Sequence, residues 1–152
     1  MKQPLYALMC SIIACCVSAP ALAALGGDAT SVEADRASLK GALRVTPTTE
    51  YTVHEIQTPA GIVVHEFVSP QGKVFAVSWR GPGLPDLGQL LGSYSSQLSQ
   101  VASASGPHYN HHHLSLRTPE VVMQSSGHLR TLAGRAWVPA LLPENFSLND
   151  LH

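Results

Sequence analysis

Two His-Glu pairs, a histidine cluster and two arginines are the residues of this chain whose types and spacing could do chemistry. Val53-His54-Glu55 recurs as Val64-His65-Glu66, and each copy runs through an apolar residue into a Ser/Thr-Pro-x-Gly turn. A zinc-protease helix needs His-Glu-x-x-His, because only an i, i+4 spacing puts both imidazoles on one helical face with the glutamate beside them. Here Thr58 and Ser69 occupy the positions where the second histidine would stand, so the motif is absent from both copies. Both copies read instead as strands, in which a histidine and the adjacent glutamate point to opposite faces. A tight turn at 58–61 sets His54 and His65 opposite one another or one position out of register. Two imidazoles so placed begin a metal site that still needs about two more ligands, from Glu55, Glu66 or His128.

The second candidate is the cluster His108, His111, His112 and His113, whose local spacing suits Zn, Ni or Cu. No carboxylate lies within that segment to orient the imidazoles. Otherwise no cofactor is expected. Arg130 and Arg135 flank an apolar hairpin that carries Trp137, and these residue types anchor interfaces. The competing reading has Trp137, Leu141 and Leu142 completing the core, which a chain of this size needs to be large. Gly-x-Ser-x-Gly and Ser-x-x-Lys are both missing. Gly81-Pro82-Gly83 contains a proline that removes one of the amides a phosphate loop would use.

Composition narrows the classes further. Charged residues are 12% of the chain, against a typical value of about 25%, and the formal net charge is −1. That leaves no basic face to recommend nucleic acid as a partner. Eight histidines nevertheless let the net charge rise under mild acid. Lys2, an apolar run from Leu5 to Val17 and Ala21-Leu22-Ala23 have the layout of a signal peptide over residues 1–23, cut near Ala23. Residues 24–152 then form one exported domain with no transmembrane helix, located in the periplasm or secreted. A rival reading uses Cys15 as a lipoprotein acylation site. Cys10, Cys15 and Cys16 all lie in the leader, so the mature chain is free of disulfides and of thiol nucleophiles.

The elements that must position these residues follow from turn chemistry and periodicity. Thr30-Ser31-Val32-Glu33 has the form of a capping box opening a short helix over 31–40, ended by Gly41. Thr58-Pro59-Ala60-Gly61 and Ser69-Pro70-Gln71-Gly72 punctuate a three-stranded meander. Its last strand alternates to put Phe75, Val77 and Trp79 on one face. Leu84, Leu87, Leu91, Tyr94, Leu98 and Val101 make the apolar stripe of one long amphipathic helix, with Asp86 at its N-cap. Residues 103–113 read as a flexible His-rich loop. A second hairpin turns at Ser126-Gly127, and Arg135 to Val138 add a short strand. The expected fold class is α+β: an antiparallel sheet, made of the meander and the C-terminal hairpin, with the long helix packed across it.

Six blocks in order carry a resemblance: 24–28 (Ala-Leu-Gly-Gly-Asp), 51–55, 68–79, 81–92, 126–130 and 134–143. Together they resemble a family of small exported proteobacterial proteins catalogued as a domain of unknown function, over nearly the whole mature chain. The resemblance implies no chemistry, so no catalytic or binding residue is carried over from it. The reading that combines these points is a non-catalytic binding or assembly module with an envelope or secreted protein partner. Metal binding through the histidine loop is the alternative. A small hydrolase is the third class and needs residues brought together by the fold.

Overall fold

The computed structural model describes residues 25–104, 113–128 and 131–151. The leader, His108, His111, His112 and Arg130 lie outside the described residues. Seven strands form one antiparallel sheet: β1 Ala42–Pro47, β2 Thr52–Gln57, β3 Val63–Val68, β4 Val74–Gly81, β5 His113–Arg117, β6 Val122–His128 and β7 Thr131–Trp137. Their order is β1-β2-β3-β4-β7-β6-β5, so two meanders run inward from the edges and meet at a β4–β7 seam. The helices are α1 Ser31–Ser38, α2 Leu87–Leu91 and α3 Tyr94–Ala104, the last two carrying the chain from β4 to the far edge. Among the described residues no helix is long and apolar enough to cross a membrane.

The α+β class holds, but the sheet is larger than a three-stranded meander plus a hairpin. The two Pro-Gly turns form as expected: Gly61 and Gly72 take φ +79° and +76°, and their amides donate to Thr58 O and Ser69 O at 3.0 and 2.8 Å. The two edge strands are reached by a different turn that contains no glycine. Thr48 Oγ1 accepts from Tyr51 N at 3.1 Å, and Thr118 Oγ1 accepts from Val121 N at 3.0 Å. In Thr48-Thr49-Glu50 and Thr118-Pro119-Glu120 the threonine hydroxyl therefore does the work of a glycine, closing each hairpin by a side-chain bond. Nor is Ser126-Gly127 a turn: Gly127 pairs with Leu132 inside the ladder, and the strand continues to His128 opposite Thr131. A Cβ at Gly127 would collide with the Leu132 side chain, so this glycine marks a close approach rather than a reversal.

The helices also differ from expectation. The stripe from Leu84 to Val101 is not one rod, because Gly92 takes φ +52°, ψ −127° and separates α2 from α3. Asp86 does cap α2, its Oδ1 accepting from Gln89 N at 3.0 Å, whereas Leu84 is left exposed. The capping box of α1 does not form: Thr30 makes no side-chain cap bond, and Ser31 Oγ donates to Asp28 O instead. Lys40, at φ +51°, takes the left-handed position that Gly41 was expected to fill.

Apolar residues are divided between two faces. On one, Ile56, Val64, Val77, Trp79 and Met123 meet Val32, Leu90, Leu91 and Leu98 of the helices. On the other, Phe67, Phe75 and Trp137 meet Tyr51, Phe146 and Leu151, so only one end of that face is covered, largely by the C-terminal tail. Phe75 was expected beside Val77 and Trp79. Instead the ladder pairs Phe67 with Ala76 and Val68 with Val74, leaving Phe75 as the extra residue of a bulge. The bulge turns Phe75 into the second cluster, edge-on to Phe146 with centroids 4.8 Å apart.

Candidate functional site: a polar rung across the open sheet face

The β2–β3 register pairs His54 with Glu66 and Glu55 with His65. Each histidine of the repeat thus faces the glutamate of the other copy, and the two resulting pairs project from opposite faces of the sheet. His54 and His65 do not come together. Two like copies joined by a tight turn must run antiparallel, so the His-Glu order of one strand meets the Glu-His order of the next.

On the open face, Glu55 Oε2 lies 3.1 Å from His65 Nε2, with the two side chains 38% and 25% exposed. The registers extend this pair into a rung of polar residues across all seven strands. Arg44 is opposite Glu55, Ser78 opposite His65, Arg135 opposite Ser78, Gln124 opposite Arg135, and Ser115 opposite Gln124. Arg135 is held from several sides. Its Nε donates to Gln124 Oε1 at 3.0 Å, its Nη1 donates to Leu148 O at 2.7 Å, and its guanidinium lies 5.8 Å from the Trp137 ring centre. Trp137 itself is 5% exposed within the aromatic cluster. In this structure, then, Arg135 and Trp137 make their contacts with the chain's own tail.

The adjoining rung, Arg80, Ala133, Ser126 and His113, lies on the side away from the aromatic cluster. Together the two rungs border a hollow of about 430 Å³ closed on one side by Leu151. Ser78 is 3% exposed, and its Oγ, buried at the edge of this hollow, has no hydrogen-bond partner. Among the described residues no aspartate or glutamate lines the hollow. A second hollow of about 630 Å³ lies between the tail and the 69–73 turn, where Lys73 is offset by Glu50 and Glu144. Among the described residues no buried unpartnered polar atom borders that one.

The other His-Glu pair sits beneath the helices. Glu66 and Asp35 of α1 are each 1% exposed. Asp35 Oδ1 accepts from Gln89 Nε2 at 2.8 Å and its carboxyl faces that of Glu66, whereas His54 Nδ1 has no partner. Burial, reinforced by the Asp35 carboxyl, pushes Glu66 up to about 9, so it keeps its proton at neutral pH. Burial raises Asp35 as well and lowers His54. Glu66 and Asp35 are sealed from any substrate, whereas His54 is only half-buried.

The model of the family described as "Protein of unknown function (DUF2844)" matches residues 21–151. The chain belongs to this family. No curated protein and no solved structure matches it.

In this DUF2844 protein the sequence candidates are scattered. Among the described residues no group of three or more His, Cys, Asp or Glu side chains is placed to hold a metal ion. His113, at the start of β5, borders the hollow, whereas the other three histidines of its cluster lie outside the described residues. Ser78, Arg80, Ser115 and Gln124 escaped the sequence reading, and Ser126 entered it only as a turn residue. Only the first two had a local signal, as the polar positions alternating with Val77 and Trp79 on the last strand of the meander. The others join the site through the β4–β7 seam, which has no signature in the chain.

Proposed function

We propose that this DUF2844 protein is an exported, non-catalytic binding module whose ligand seats on the open sheet face. The observation that carries this reading is the Ser78 hydroxyl, buried at the hollow with no partner. Such a group costs about 1–3 kcal/mol, a penalty that a ligand atom bonded to it removes. The hollow's volume of about 430 Å³ also falls in the range of small-molecule sites, about 300–1,000 Å³. Export is supported by the charged, apolar and small-residue layout of the leader.

Binding is favoured over hydrolysis by the one constellation that resembles a catalytic array. Glu55, His65 and Ser78 stand in acid, imidazole, hydroxyl order on neighbouring strands. Yet Ser78 Oγ makes no hydrogen bond, so His65 is not set to take its proton, as an activated nucleophile requires.

A thermal-shift screen of small polar metabolites tests the reading, run beside Ser126→Trp, which places an indole in the hollow from an exposed strand position. Compounds that raise the melting temperature of the wild type are expected to lose their effect on the variant. Hits that survive the tryptophan, or a screen without hits, would overturn the open face as the binding site.

A further inference from the structure

We infer that the ligand of the open-face hollow is a small molecule carrying an oxyanion, a carboxylate or a phosphate, which Arg80 and the Ser78 hydroxyl engage. This rests on the reading of the open face as the binding site and adds the chemistry of what it takes.

The argument is an inventory of donors and acceptors. Among the described residues the Arg80 guanidinium has no ion-pair or hydrogen-bond partner, and it is exposed on the rung that borders the hollow. Arg135 is bonded only to neutral oxygens, those of Gln124 and Leu148, so its charge is not compensated by a carboxylate. Because Gln124 spends its oxygen on Arg135, its amide nitrogen is what remains to offer. Ser78, Ser115 and Ser126 add hydroxyls, and His113 adds an imidazole. The nearest acid on the rung is Glu55, which is engaged by His65 and separated from Ser78 by the whole of β3. Two guanidinium charges and a set of donors, with no carboxylate side chain of the described residues among them, repel a cation. They complement a ligand rich in acceptors and negatively charged, and the planar fork of arginine suits the paired oxygens of carboxylate or phosphate. Ser78 then supplies the short-range selection: its buried hydroxyl gains a partner only from a group that reaches the buried edge of the hollow where it lies.

Isothermal titration of the purified protein with matched pairs separates the sources of the charge: glucose 6-phosphate against glucose, and succinate against succinamide, with inorganic phosphate alone as a fifth titrant. At least one anionic member is expected to bind ten-fold or more tightly than its neutral partner, and to weaken as salt rises. Arg80→Ala, at an exposed position, is expected to reduce that affinity at least ten-fold. Ser78→Ala is expected to reduce it several-fold while leaving the fold unchanged by circular dichroism. Equal binding of the neutral partners, or an unaltered affinity in Arg80→Ala, would overturn the oxyanion while leaving the site standing. Inorganic phosphate binding as tightly as the sugar phosphate would also overturn it, since the ligand would then be the free ion. Anion binding that Ser126→Trp does not touch would instead overturn the site itself.

Discussion

The same two residues, written twice, end up in opposite circumstances on the two faces of one hairpin. Glu55 and His65 lie on the open face, partly exposed and 3.1 Å apart, in a rung with two arginines. Glu66 lies beside Asp35 of α1, each 1% exposed, and His54 stands opposite Glu66 in the ladder, half-buried. Residue identity is equal in the two pairs, so the difference comes from burial first and from the Asp35 carboxyl beside Glu66 second. Water screens and solvates the first pair, whereas the second must keep a carboxyl neutral to remain inside. Perturbed acidity is often taken as a pointer to a working site. Here it points to Glu66, beneath the helices and away from the face on which a ligand can land.

The sharpest way to test this contrast is Glu66→Gln. Glu66 is raised from its ordinary 4.5 to about 9, so its contribution is fully present below pH 4.5 and is lost as pH rises toward 9, because the unfolded chain releases the proton first. His54, lowered by burial from 6.5, costs stability as pH falls below that value, so the two effects are best separated above it. Urea melts of the wild type are expected to show stability falling from pH 6.5 to 8.5. The variant is expected to show a clearly shallower slope over that window and to be the more stable protein at pH 8. Equal slopes in the two proteins would mean that Glu66 is ionised at neutral pH and that the contrast fails.

A much smaller effect is expected from the outer pair. Glu55→Gln should lower stability by less than about 1 kcal/mol, and the difference should shrink in about 1 M salt. A loss as large as that of a buried charge would show that this face is closed to solvent.

What could be read in the chain was what is local. Pro and Gly at 58–61 and 69–72 announced their turns, and the offset between the His-Glu copies carried the crossed register within it. Strands β1 and β5 were missed because their turns rest on the Thr48 and Thr118 hydroxyls, whose composition resembles any polar loop. The bulge that redirects Phe75 was hidden by a clean alternation on either side of it. Gly127 looked like a turn residue but is a gap, as is Gly134, where a Cβ would strike the Trp79 ring. The rung joining His65 to Arg135 depends on β7 docking beside β4, a long-range pairing set by the shape of both cores.

The most direct test of the open face as the working face is NMR shift mapping with the compounds that stabilise the wild type in the thermal screen. Perturbed amides are expected at Ser78, Arg80, Ser115, Gln124 and Arg135, with Asp35, His54 and Glu66 unmoved. Shifts gathered around the buried carboxyls, with the rung silent, would contradict the account.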